Sequence, residues 1–204
     1  MTQLANPGAF FAHLKTAQVL GPTLDQGEVD GLNAILAACG EAGWGPRFTA
    51  YALATADRET AGTMKPIKEY GGDHYFWKRY DIAGQNPQLA RRLGNTIAGD
   101  GVRFAGRGYV QITGRANYVK AGTKLGVDMV ESPELALRPD IAAQIMIKGM
   151  SEGWFTGKKL ADYITADKCD FVNARRVING LDCSKEIAAE AYRYLAALAV
   201  GTWS

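Results

Sequence analysis

The chain has 204 residues, the size of one domain or of two small lobes sharing a core, and can bury about 70% of its unfolded surface without disulfides or metal. Hydrophobic residues make up 47% and charged residues 22%, which excludes long disorder; a net charge of +2 excludes the global basic excess of many nucleic-acid binders. No apolar run approaches the roughly 18 residues of a membrane span, so an integral membrane protein is not expected.

The N-terminal stretch carries no positive charge before Lys15 and no apolar segment of signal-peptide length, so the expectation is a protein made and kept in the cytoplasm until another factor releases it. From there the chain reads as helices. Phe10, Phe11, Leu14 and Val19 suggest a short one. Thr23 and Gln26 stand at capping-box spacing before Val29, Leu32, Ile35 and Leu36, which recur on one helical face. Gly40, Gly43 and Gly45 are expected to break that helix. A third is expected from Pro46 to Glu59, ending before Gly62.

Between Gly62 and Gly108 the composition turns to Gly, Pro, Asp, Asn and aromatics, and helical periodicity fades. Tyr109 to Thr113 then alternates like a strand, with Tyr109, Gln111 and Thr113 on one side and Val110 and Ile112 on the other. After Pro139 helices are expected again, over 140–150, 158–164, 170–178 and 184–199. Asn179-Gly180 closes the third of these, and Asp182 or Ser184 caps the fourth. Ile187, Ala191, Tyr194, Leu195 and Leu198 mark that last helix as a core helix rather than a membrane-active one. The architecture implied is mainly α, with a small irregular glycine-rich β region.

Cys39, Cys169 and Cys183 lack metal-ligand spacing and are expected as thiols. His13 and His74 are the only histidines, which argues against a zinc hydrolase. No metal and no cofactor are expected.

Two carboxylates suit different tasks. Glu59 ends a helix, where the macrodipole disfavours an anion, so it is suited to hold a proton as an acid. Glu69 lies ten residues on, in a flexible stretch near Lys65 and Lys68, and is suited to stay ionised as a base. On spacing alone, two solvated surface acids is the simpler reading. Gln111, Thr113 and Asn117 offer neutral donors and acceptors beside Tyr109 and Tyr118, the mixture that recognises sugars; an edge strand with hydrated side chains is the plain alternative.

These residues also carry a resemblance. Arg58-Glu59-Thr60-Ala61-Gly62, the run from Phe104 through Gly106-Arg107-Gly108-Tyr109-Val110-Gln111-Ile112-Thr113 to Asn117-Tyr118, and Val177-Ile178-Asn179-Gly180 together resemble glycoside hydrolase family 19, the chitinase-like enzymes, and most closely its bacteriophage endolysin branch. The resemblance implies a lysozyme-like α+β fold, a two-lobed helical domain with a substrate cleft, the whole chain forming one catalytic domain. It implies Glu59 as general acid, Glu69 as general base and Thr113 as the hydroxyl that holds the attacking water. Gln111, Asn117, Tyr118, Asn179 and Arg107 become substrate-binding candidates. Arg58 departs from the family, where a histidine is common in plant members, and the Glu59–Glu69 interval is shorter than in plant chitinases.

The function implied is an endolysin: a monomer that hydrolyses β-1,4 bonds of peptidoglycan by an inverting acid/base mechanism and lyses the host, after a holin-like partner permeabilises the membrane. Between Lys78 and Lys124 nine basic residues face only Asp81 and Asp100, a local excess suited to an anionic polymer. Peptidoglycan is one, whereas chitin is neutral; nucleic acid is another, but no binding motif accompanies the charge. A chitinase and a catalytically silent carbohydrate-binding relative are the alternatives.

Overall fold

In a computed structural model, which describes residues 2–204, the chain forms ten α-helices and one two-stranded antiparallel sheet, a mainly α fold as the periodicity implies. It divides into two compact units. One comprises Lys65 and the residues before it with Met146–Ser204, and the other Pro66–Ile145.

In the first unit, α1 (Pro7–Thr16), α2 (Gln26–Glu41) and α3 (Pro46–Glu59) follow the expected order. Their caps differ from expectation at one point. The box on α2 is made by Asp25 and Glu28, two residues beyond Thr23 and Gln26: the Glu28 N–H donates to Asp25 at 2.8 Å, and the Asp25 N–H donates to Glu28 at 2.7 Å. An aspartate satisfies the first free N–H groups as well as a threonine does. Gly40 does not break α2. It lies inside the helix, where a Cβ would come within 2.2 Å of the Thr2 carbonyl oxygen, so its role is close packing. Gly43, at φ +65°, makes the turn, and Gly45 is the N-cap of α3.

Every residue of α3 from Thr49 to Ala56 is buried. Against it packs α10 (Ser184–Val200), which buries Ile187, Ala188, Ala191, Tyr194, Ala197 and Leu198; each large apolar side chain so buried contributes about 1.5–3 kcal/mol. Neither Asp182 nor Ser184 caps α10. Its N-cap is Cys183, at φ +52° with no side-chain bond, because Ser184 is already helical and Asp182 is engaged by Arg175. The helix expected over 158–164 reduces to a 3₁₀ turn, Leu160–Asp162, and that over 170–178 to α9 (Phe171–Ala174) with a 3₁₀ turn, Arg175–Val177.

The second unit holds more helix than its composition suggests. α4 (Asp73–Tyr80), α5 (Pro87–Arg92) and α6 (Asp100–Arg103) occupy the stretch where periodicity fades. Phe76, Tyr80 and Ala105 form their core, with Leu89, Leu93 and Val102 against it. Asp81, fully buried, ties the helices together by accepting from the Gly99 and Gly101 N–H groups at 2.8 and 3.0 Å. α7 (Arg115–Leu125) follows, and α8 (Pro139–Glu152) begins in this unit and ends in the other.

The strand expected over 109–113 is absent. β1 (Ile67–Lys68) pairs with β2 (Arg107–Gly108), after which the chain turns back on itself. Arg107 and Ile112 exchange both backbone hydrogen bonds, at 3.3 and 3.0 Å, around a four-residue loop in which Gln111 takes φ +51°. Tyr109 and Ile112, assigned to opposite faces by alternation, are both buried.

Cys39, Cys169 and Cys183 are free thiols, and burial pushes Cys39 up to about 12. Among the described residues no group of three or more His, Cys, Asp or Glu is placed to hold a metal ion.

Candidate active site

Glu59 is the last residue of α3. Beyond it Ala61 and Gly62 turn left-handed, at φ +51° and +84°, and the Gly62 N–H donates to the Asp57 carbonyl at 2.8 Å, closing the helix. The Thr60 hydroxyl donates to the Ala56 carbonyl at 2.8 Å and accepts from the Met64 N–H at 3.0 Å. Glu59 therefore sits on a fixed helix end rather than a loop.

A partner that spacing does not reveal meets it there. The Arg175 guanidinium donates to Glu59 Oε1 at 2.5 Å, and its side chain is only 5% exposed. Burial works against the charge on Arg175, but its bonds to Glu59 and Asp182 outweigh this and hold it above the usual guanidinium range. Glu59 thus shares its carboxyl with an arginine and is not the lone group at a helix terminus that the macrodipole argument assumes. Asn179 is exposed, and its N–H donates to the Arg175 carbonyl at 3.0 Å. The Val177–Gly180 motif therefore belongs to the turn that carries Arg175. Arg58 donates to the Cys183 sulfur at 2.7 Å.

Glu69 lies in the second unit, directly after β1, where its N–H donates to the Gly106 carbonyl at 2.8 Å. The lysines expected beside it are engaged elsewhere: Lys65 with Asp25 at 3.2 Å, and Lys68 over the Phe76 ring at 5.8 Å. Hydroxyls take their place. Tyr80 donates to Glu69 Oε1 at 2.8 Å and Tyr75 approaches the same oxygen at 3.5 Å, while Oε2 is 3.4 Å from the Gly106 N–H.

The face of Gly106 brings the predicted polar residues together. A Cβ built on it would lie 2.9 Å from Gln111 Oε1, 3.0 Å from Glu69 Oε2 and 3.1 Å from Thr113 Oγ1. Three oxygens thus border one small space that only a glycine leaves open. Gln111 is fixed because its amide N–H groups donate to the Ile67 and Gly108 carbonyls at 2.7 and 2.9 Å, which turns its oxygen toward Gly106. Thr113 donates to the Gln111 carbonyl at 3.1 Å, and Asn117 donates to the Thr113 carbonyl at 2.8 Å. Gln111 and Thr113 share this site through a tight turn, not through one face of a strand. A carboxylate, a hydroxyl and an amide oxygen thus lie close together beside Gly106, a set of acceptors with the chemistry to hold a water molecule.

Two sequence candidates do not belong to an accessible site. Tyr118 is fully buried and its hydroxyl donates to the Ala105 carbonyl at 2.8 Å. Arg107 is 3% exposed and donates to Glu134 at 2.6 Å, to the Tyr118 hydroxyl at 3.1 Å and to the Arg103 and Ala105 carbonyls. Both are internal supports of the loop that carries Gln111 and Thr113. The basic segment is divided likewise. Arg103 and Arg115 pair with Glu131 and Asp100, whereas Lys78, Arg91 and Arg92 are exposed.

Comparison with known proteins gives the family and the fold. The chitinase class I model of glycoside hydrolase family 19 matches residues 33–159, a span that includes Glu59, Glu69 and Thr113. A glycosyl hydrolase family 19 domain-containing protein of Haemophilus influenzae is 30% identical over 130 residues, covering 59% of this chain and 58% of that protein. The chain thus spans less than two thirds of that relative's length. Among solved structures, chitinase C from Streptomyces griseus matches with a TM-score of 0.59 at 18% identity, covering 97% of this chain and 78% of that one. A bacterial family 19 chitinase matches at 0.55 and 19% identity, covering 93% and 95%. At such identities the likeness is one of fold. With the family model spanning more than half its length, the chain belongs to glycoside hydrolase family 19.

Proposed function

We propose that this protein hydrolyses the β-1,4 glycosidic bonds of bacterial peptidoglycan as a bacteriophage or prophage endolysin. The supporting observation is the convergence of Glu69 Oε2, Thr113 Oγ1 and Gln111 Oε1 on the face of Gly106. Such a seat suits a water that must be held, stripped of a proton and aimed at an anomeric carbon. Glu69 is the general base, Thr113 orients the water, and Glu59 is the general acid that protonates the leaving oxygen. Gln111, Asn117 and Asn179 contact sugar. This chemistry needs side chains only.

The choice of polymer rests on charge. Lys78, in the last turn of α4, and Arg91 and Arg92, in the last turn of α5, are exposed and carry the local positive charge to solvent. They suit a strand bearing lactyl and peptide carboxylates. Among the described residues no helix is long and apolar enough to cross a membrane; in this reading a separate membrane-permeabilising protein gives the enzyme access to the wall.

The family likeness to chitinases favours a second reading, cleavage of N-acetylglucosamine polymers. Purified peptidoglycan and chitin oligomers digested in parallel, reduced with borohydride and analysed by mass spectrometry separate the two. Reduced muramic acid or glucosamine ends from peptidoglycan, with little release from chitin, are expected. New free amino groups in place of reducing ends would exclude a glycosidase, and turnover of chitin alone would favour the second reading.

A further inference from the structure

The two oxygens of Glu69 are not equivalent. Oε1 accepts from the Tyr80 hydroxyl at 2.8 Å and lies 3.5 Å from that of Tyr75, whereas Oε2 is the oxygen on the Gly106 face with Thr113 and Gln111. Tyr80 is itself held. Its ring is buried in the core with Phe76, and the Arg79 guanidinium lies 5.3 Å from the ring centroid. Arg79 also donates to the Tyr75 hydroxyl at 2.7 Å and lies 5.7 Å from the Tyr75 ring. One exposed cation therefore holds the Tyr75 hydroxyl and lies over the Tyr80 ring, the two tyrosines whose hydroxyls face the same carboxylate oxygen.

We infer that Tyr80, supported by Arg79, is a positioning residue that occupies Glu69 Oε1 and so assigns Oε2 as the oxygen that takes the proton from the nucleophilic water. This inference rests on the reading of Glu69 as general base. The water's oxygen forms the new bond to the anomeric carbon, its proton goes to Oε2, and the leaving oxygen is protonated by the general acid; Tyr80 gives up no proton. A short bond from a neutral hydroxyl favours the ionised carboxylate and fixes its plane. Burial, and next the bond to Glu69, push the Tyr80 hydroxyl well above its ordinary value, so it remains a donor throughout the range in which the enzyme works.

The test compares Tyr80→Phe, which keeps the ring, with Arg79→Gln, an exposed substitution, and Glu69→Gln. Each is assayed on a soluble glycan oligomer across pH. Losing a donor to the charged form moves protonation of the base to higher pH. Tyr80→Phe is therefore expected to shift the acid limb of the kcat/KM profile upward by roughly one pH unit and to lower kcat about tenfold. KM should stay within about twofold, because the hydroxyl touches the base and not the sugar. Arg79→Gln should move the limb in the same direction by less, and Glu69→Gln should be inactive. Inactive Glu69→Gln with an unshifted limb and kcat in Tyr80→Phe would overturn the positioning role and leave Glu69 as base. Active Glu69→Gln would overturn the base assignment, and the inference with it. If Tyr80→Phe does not fold, Arg79→Gln decides, and an unmoved limb there overturns the inference.

Discussion

Arg175 and Glu59 are 116 residues apart in sequence and meet through a 2.5 Å bond in which the arginine is almost wholly buried and the glutamate is 23% exposed. A buried guanidinium bonded to Glu59 through one terminal nitrogen and to Asp182 through the other cannot rotate freely. It fixes where the end of α3 presents its acid.

Glu59→Gln keeps a carbonyl oxygen to accept from Arg175 but cannot deliver a proton. Folding should be retained while activity falls by at least about 10²–10⁴-fold, the usual weight of one general acid. Thermal melting and lysis of cell-wall suspensions check both halves. Arg175→Ala should differ, losing activity and stability together, by about 3 kcal/mol for breaking a largely buried pair.

Gly106→Ala tests the seat directly. The methyl would fall 2.9–3.1 Å from the oxygens of Gln111, Glu69 and Thr113, in the space assigned to water. Gly106 has no left-handed backbone to lose, but at these distances the three side chains must give way, so stability should fall by about 1–3 kcal/mol while kcat falls at least about a hundredfold. A variant of near wild-type turnover would place the nucleophile elsewhere.

Thr113→Val removes the hydroxyl that borders that space, and Thr113→Ser keeps it. Turnover should drop strongly in the first, by about 10²-fold on the scale of one positioned polar group, and mildly in the second. Equal turnover in the two variants would make Thr113 a support for the turn only.

How much of this was legible in the sequence depends on the distance between partners. α3 and its final Glu59 follow from a proline start, an apolar run and a glycine after the end, all local signals. Gln111 and Thr113 read as neighbours on one face of a strand, whereas a turn is what brings them together. The alternation of 109–113 mimics a strand, and only the left-handed φ of Gln111 and the Arg107–Ile112 pairing turn it into a hairpin loop. Helices α4 to α6 are four to eight residues long, too short for a 3.6-residue period to declare itself. Arg175 stands beside Arg176 in a stretch that reads as an ordinary helix surface, and nothing local marks which of the two is buried. Arg107 and Tyr118 sit inside the motif, yet a motif records which residues recur and not whether they touch substrate or hold the loop.

That last distinction is measurable. Arg107→Met should lower stability by about 1–3 kcal/mol, since it removes a buried guanidinium that donates to the Arg103 and Ala105 carbonyls, the Tyr118 hydroxyl and Glu134. In the fraction that folds, KM should stay within about threefold. A stable variant with sharply raised KM would return Arg107 to the substrate.

Asp57 supplies a pH dependence of stability. Burial raises its carboxyl to about 6 despite the bond from Tyr194 at 3.0 Å. A raised carboxyl binds its proton more tightly folded than unfolded, so its contribution is fully present below about pH 3.8 and is lost as pH rises through about 6. Asp57→Asn should flatten the stability profile in that window and gain on the order of 2 kcal/mol at pH 7. Urea denaturation at pH 4.5 and 7 checks the sign.

The measurement that bears most directly on Glu69 as a base acting through water is the anomeric form of the first product. Proton NMR of a soluble glycan oligomer, recorded within the earliest turnover, distinguishes single from double displacement. Water activated by Glu69 and seated by Thr113 attacks the β-linked carbon once, so the α-anomer should appear first and then mutarotate. A β-anomer appearing first would mean a covalent glycosyl-enzyme and would contradict the proposed roles of Glu69 and Thr113.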